Sequence, residues 1–196
     1  MKKKVTVLGN GLVGSVMALD LAEDEGYEVT VCDRDEAGLG RTKERSRGKV
    51  DTRSDVDFTS PDSITEAVRG QDLCIGAVPG FLGYPMVGAV IRAGVDLSDI
   101  SFMGEDYREW DGQAKAAGVT AFEDVGVAPG SSSILIGYAC DLLDQVEDVT
   151  YYVTGLPADP KPPFDYKLVF SPDDLIEEYV RPARTKRDGR ILTVSA

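Results

Sequence analysis

The 196-residue sequence predicts an α/β fold, a doubly wound parallel sheet followed by the start of a second α+β domain. Three observations predict it. Short β-branched apolar runs alternate with helical spacings as far as residue 125, and parallel neighbours need crossover helices that cover both faces of a sheet. The first run turns into its helix through Gly9-Asn10-Gly11-Leu12-Val13-Gly14, and the second run ends in an acid, Asp33. Right-handed crossovers then make the sheet one of the Rossmann type.

Residues 5–8 are a strand bounded by glycine, and residues 12–25 have helical spacing through Leu12, Val16, Leu19 and Ala22. Residues 28–32 are the second strand. The polar, glycine-punctuated stretch 34–51 is a weak or short helix, and Val56-Asp57-Phe58 is the third strand. Ser60 as N-cap and Pro61 as first helical residue open the next helix, because the hydroxyl accepts a free N–H and proline needs none. Residues 72–78 are the fourth strand. A helix over 84–93, a strand over 95–102, a helix over 105–117 and a strand over 119–123 complete the alternation.

Past Val125 the pattern changes. An apolar helix over 134–143 leads to a strand over 149–154, then to an extended loop, since Pro157, Pro160, Pro162 and Pro163 exclude helix and central strand alike. A strand over 166–170, a helix over 172–179 opened by Ser171 and a final strand over 190–194 follow. The expected division is a dinucleotide-binding domain over 1–125 and a partial substrate or catalytic domain over 126–196.

Composition excludes several function classes. Against 21 Lys+Arg stand 34 Asp+Glu, a formal charge of −13 that repels phosphate backbones and anionic lipid, so neither nucleic acid nor membrane is an expected partner. Cys32, Cys74 and Cys140 are far apart, form no CxxC and have no histidine to join them, which argues against a disulfide framework or a metal site. Buried thiols in a reducing cytoplasm are the expectation. The basic start Met1-Lys2-Lys3-Lys4 meets only a short apolar run before glycine, so a signal peptide is not expected and the chain reads as cytoplasmic.

In the glycine turn the first glycine bends the chain, the second lets backbone approach a pyrophosphate, and the third lets helix pack closely on sheet. The diphosphate would rest on the N-terminal N–H groups of the helix that follows. Asp33 would accept the adenosine ribose hydroxyls. Its charge favours NAD over NADP, while Arg34 beside it is the residue that could receive a 2′-phosphate. Asp57 and Phe58, at the end of the third strand, would edge the adenine. Val78, Pro79 and Gly80 end the fourth strand where ligands of such sheets bind, and Gly80 would let the chain pass close to the dinucleotide. Glu123 and Asp124 end the sixth strand at the same edge, where an acid could hold a substrate ammonium.

The sequence resembles the saccharopine dehydrogenase and lysine dehydrogenase family. The resemblance is carried by residues 7–14, by Ala77-Val78-Pro79-Gly80-Phe81-Leu82-Gly83, by Ser101-Phe102-Met103, by Asp124-Val125-Gly126-Val127-Ala128-Pro129-Gly130-Ser131, and most specifically by residues 155–184, which look closest to the L-lysine 6-dehydrogenase branch. It implies an NAD(P)-dependent oxidoreductase acting on the carbon–nitrogen bond of a small amino acid, with hydride passing from the ε-carbon of lysine to the nicotinamide. Such an enzyme must hold the donor carbon about 3–3.5 Å from the nicotinamide. Asp124 is the catalytic or substrate-binding acid to test first, and Tyr166 and Lys167 the residues that could line the substrate pocket.

Members of that family are generally longer, so the resemblance implies the N-terminal part of the enzyme, either a fragment or a piece that a partner chain completes, with a compact short relative as the other alternative; a homo-oligomer or such a completing chain is the expected partner. Two other functions are set beside it: an NAD(H)-binding or regulatory module without turnover, and an NADP-dependent saccharopine reductase, to which Arg34 would point.

Overall fold

The computed structural model describes residues 2–168 and 170–195. The chain forms two compact units, Met1–Thr154 and Gly155–Ala196.

The first unit is built on a six-stranded sheet in the order β3-β2-β1-β4-β5-β6, with every neighbouring pair parallel. Its strands are β1 (Lys3–Leu8), β2 (Tyr27–Cys32), β3 (Val50–Arg53), β4 (Leu73–Gly76), β5 (Asp96–Asp99) and β6 (Ala121–Phe122). Between them run α1 (Gly14–Leu21), α2 (Glu36–Arg45), α3 (Pro61–Val68), α4 (Gly80–Ala93) and, behind a 3₁₀ turn at Tyr107–Trp110, α5 (Asp111–Ala117). The doubly wound sheet read from the sequence is present, and the strand order reverses between β1 and β4.

Alternation along β1 explains the two cores. Val7 points to one face, where it packs with Ala18 of α1, Val29 and Val31 of β2, and Leu39 of α2. Leu8 points to the other, with Ile64 and Val68 of α3 and Met86, Val87 and Val90 of α4. A strand covered on both faces needs no polar side, which is why the central strands read as nearly continuous apolar runs.

Several sequence expectations are corrected. The third strand is Val50–Arg53, and Val56, Asp57 and Phe58 lie in the connection to α3. An edge strand needs little apolar sequence: Val50, fully buried against Val29, anchors it, and the other positions are polar. Residues 57–59 are instead an Asx turn, in which Asp57 Oδ1 accepts from the N–H and hydroxyl of Thr59.

Helix α1 is shorter than expected and buries only part of the expected stripe, with Ala22 buried and Leu19 half-buried. Gly14, Ala18 and Ala22 face the sheet, while Leu12 and Val16 are 70% and 55% exposed. Close packing selects the small residues, and Glu23, Asp24 and Glu25 oppose extension because acids are unfavourable at a helix C-terminus. Helix α4 begins at Gly80 rather than residue 84, with Pro79 as N-cap. Residues 105–110 are not α-helix, because Asp106 accepts from the Arg108 N–H and caps the 3₁₀ turn. Ser60 does cap α3, accepting from Ser63 N–H.

Past β6, residues 124–130 fold back so tightly that a Cβ on Gly130 would strike the backbone of Gly126 and Asp124. Helix α6 (Ser131–Asp141) follows. Residues 149–154 form no strand.

In the second unit the Pro-rich segment is irregular, α7 (Pro172–Val180) is capped by Ser171, and β7 (Ala183–Arg187) pairs antiparallel with β8 (Arg190–Val194). The strand expected over 166–170 is absent at 166–168 and 170; Val169 lies outside the described residues. Strand β7 went unread, although Asp188-Gly189, both at positive φ, is the two-residue hairpin signal. Cys32 and Cys74 are buried thiols, and Cys140 is half-buried.

Candidate functional site

The site lies where β1 and β4 end side by side. Ala77 N–H donates to Leu8 carbonyl at 2.8 Å, so the two strands leave the sheet together. Gly9, at φ 104°, turns there against Ala77, whose carbonyl oxygen a Cβ on Gly9 would strike. Gly14 starts α1 directly over this turn, and a Cβ there would meet the Gly9 carbonyl. The first and third glycines are thus required by packing. Gly11 is not: a Cβ on it would meet nothing within 4 Å, so it faces open space.

That open space is bounded by donors. Among the described residues the N–H groups of Gly11, Leu12 and Val13 make no hydrogen bond, while Ser15 and Met17 N–H already serve the helix. Three successive free N–H groups at the positive end of a helix suit a diphosphate.

The turn is held from the side by β2 and α2. Asp33, half-buried at the end of β2, accepts from Asn10 N–H at 2.7 Å through one oxygen and from Asp35 N–H at 2.9 Å through the other. Asn10 Oδ1 accepts from the Thr42 hydroxyl of α2 at 2.8 Å. Asp33 therefore has a structural task, and each of its oxygens keeps a second lone pair for a ribose hydroxyl. Arg34 is exposed beside it. Arg53, ending β3, is engaged by Asp55 through two hydrogen bonds at 3.0 and 2.9 Å.

The other expected residues divide. Val78 and Gly80 are buried and Pro79 half-buried where β4 passes into α4, beside Gly9. Asp57 is exposed and bound to Thr59, whose hydrogen bonds hold its carboxyl below the usual range; neither it nor Phe58 stands at a strand end. Asp124 is half-buried just past β6, at φ 58°. Tyr166 and Lys167 line an open groove of the second unit with Pro157, Ala158, Asp159 and Lys161.

Two carboxyls also meet at this edge. Asp99, ending β5, is fully buried; it accepts from the Ser101 hydroxyl at 2.8 Å and sits against Gly76, where a Cβ would strike its Oδ1. Glu123, just past β6, faces it with both oxygens buried. Burial, then the charge and hydrogen bond of Asp99, pushes the Glu123 carboxyl up to about 9. Burial also raises Asp99, to about 6, against the opposing Ser101 hydroxyl. The two titrate as a unit. Sequence reading passed over Asp99, yet period-two alternation marks it: Val95, Leu97, Asp99 and Ser101 share one buried face.

Strand order 3-2-1-4-5-6 and the geometry of the glycine turn define a Rossmann dinucleotide-binding domain. Residues 5–122 match the family model described as saccharopine dehydrogenase NADP binding domain, and residues 126–196 match saccharopine dehydrogenase C-terminal domain. The chain belongs to the saccharopine dehydrogenase family.

Among its relatives is saccharopine dehydrogenase [NADP(+), L-glutamate-forming] of Saccharomyces cerevisiae, 27% identical over 205 residues, covering 100% of this chain and 45% of that protein. Mitochondrial alpha-aminoadipic semialdehyde synthase of Rattus norvegicus is 26% identical, covering 99% of this chain and 21% of that protein. The solved structure of the apo yeast saccharopine dehydrogenase superposes with a TM-score of 0.73 at 23% identity, over 98% of this chain and 44% of that one, and shares the fold. The chain thus spans less than half the length of these relatives.

Proposed function

We propose that the chain supplies the nicotinamide-dinucleotide site of an oxidoreductase acting on an amino-acid carbon–nitrogen bond. The observation that carries this is the cradle itself: two glycines that packing requires, a third facing open space, and three free N–H groups around it. When bound, the dinucleotide would supply the hydride chemistry. The residues of this chain would do the holding: the turn receives the diphosphate, Asp33 the adenosine ribose, and the ends of β4 and β5 flank the nicotinamide.

NAD(H) is the cofactor favoured by local charge, since the Asp33 carboxylate at the end of β2 would repel a 2′-phosphate. The NADP reading has support of its own in Arg34 and in the description of the matched family. Calorimetry with NADH and NADPH on the whole chain separates the two. The expected result is tighter NADH binding and, for Asp33→Ala, a loss of about tenfold, 1.4 kcal/mol. Unchanged affinity in that variant would sink the assignment of the ribose to Asp33.

For the substrate, an ε-amino group of lysine or the secondary amine of saccharopine fits the reading. Relatives named for saccharopine favour the second, the likeness of residues 155–184 to L-lysine 6-dehydrogenase the first. Reduced-cofactor absorbance with each amine and each oxidised dinucleotide decides between them. Dinucleotide binding without turnover on either amine would instead support a binding or regulatory module.

A further inference from the structure

We propose that Asp99 and Glu123 hold one proton between them, and that this shared proton positions the nicotinamide end of the groove without either carboxyl touching the dinucleotide. The inference rests on the dinucleotide reading of the glycine turn. Its basis is an imbalance of donors. Asp99 Oδ2 and both Glu123 oxygens are buried, and among the described residues nothing donates to them. An ionised carboxylate only accepts. Apart from the Ser101 hydroxyl on Asp99 Oδ1, two facing carboxylates out of water therefore lack a donor until one of them is protonated, and a single proton makes one the donor and the other its acceptor.

Among the described residues, no cation is among the groups that shift either carboxyl. The charged group acting on both members is Asp124, a third acid. Cys74 on β4 is a buried thiol raised well above its ordinary value by burial and then by the Asp99 charge, so it stays neutral. Tyr107 is raised by burial and then by Asp124 and Glu123, and Arg108 beside it is bound to Asp106 at 2.8 and 2.6 Å.

The pair is joined to the groove by backbone. Val125 N–H donates to the Asp99 carbonyl at 2.9 Å and Ile100 N–H to the Gly76 carbonyl at 3.0 Å. Gly76 packs on the Asp99 carboxyl, and the next residue, Ala77, is the one against which Gly9 turns. Losing the proton would leave two like charges in a poorly solvated space, and their separation would shift the ends of β4, β5 and β6 together. Glu123 and Asp99 are positioning residues in this scheme.

The test follows NADH affinity of the whole chain from about pH 7 to about pH 10, beside the infrared carboxylic-acid carbonyl band and the exchange protection of the Val125 amide. Wild type should show the band at neutral pH and lose it on the alkaline side, with affinity falling about fivefold or more, the lower end of ordinary coupling between sites. Glu123→Gln should lack the band, because its amide donates without titrating, and should hold its affinity flat. Asp99→Asn serves where Glu123→Gln does not fold.

Absence of the band at neutral pH, or parallel loss of affinity in wild type and variant, overturns the proposal. If NADH fails to bind at every pH, the dinucleotide reading falls. The shared proton is then judged by Val125 protection, which must drop with pH in wild type alone or the proposal falls with it.

Discussion

Gly11 and Gly14 are three residues apart, yet their substitution by alanine has opposite meanings. A Cβ on Gly14 would collide with the Gly9 carbonyl, backbone that can yield only by moving α1 off the sheet. Gly14→Ala is therefore expected to destabilise the chain by about 1–3 kcal/mol, as overpacking does, in denaturant unfolding. Gly11→Ala meets nothing. Its stability should change by no more than about 0.5 kcal/mol, as for an ordinary surface change. Its NADH affinity, measured by calorimetry, should fall by about tenfold because the methyl enters the diphosphate's space. If Gly11→Ala binds normally, the open space is not the phosphate position.

The elements show how local signals compete with tertiary ones. Helix α3 is the case where they agree: Ser60 accepts from Ser63 N–H, Pro61 follows, and Ile64 and Val68 are fully buried. Ser60→Ala should cost about 1 kcal/mol, the usual worth of an N-cap, read from the urea midpoint. The strand–helix alternation of a doubly wound sheet, this cap and the glycine turn were legible because each is written in neighbouring residues. The buried stripe of α1 was legible only at its Ala22 end, since Leu12 and Val16 have helical spacing as good as that of Gly14 and Ala18, and only contact with the sheet selects the small face. Strand β3 was misplaced for a related reason, because one buried valine suffices at an edge. The Asp99–Glu123 pair was half legible: an acid past a strand end draws notice, but an acid in the phase of a buried face is seen as such only once the face is known.

At the scale of the molecule the buried pair sets a dependence on pH that runs against the usual one. Carboxylates paired with cations make most proteins gain stability as pH rises from the acid side. Here the Glu123 carboxyl is raised from an ordinary 4.5 to about 9, and Asp99 from 3.8 to about 6. Between those limits the folded chain holds a proton that the unfolded chain has released, so unfolding releases protons and stability must fall as pH rises. The contribution is intact below about pH 4 and is lost progressively up to about 9. The formal charge of −13 works in the same direction, because deprotonation adds to a repulsion already present. Salt separates the two. Exposed charges are screened beyond a Debye length of about 3 Å at 1 M, whereas a buried pair is screened much less. The thermal midpoint of the wild-type chain should therefore decline between about pH 5 and about pH 9 even in molar salt, where Glu123→Gln should be nearly flat. If high salt removes the decline from wild type as well, repulsion across the surface accounts for it and the pair has no special part.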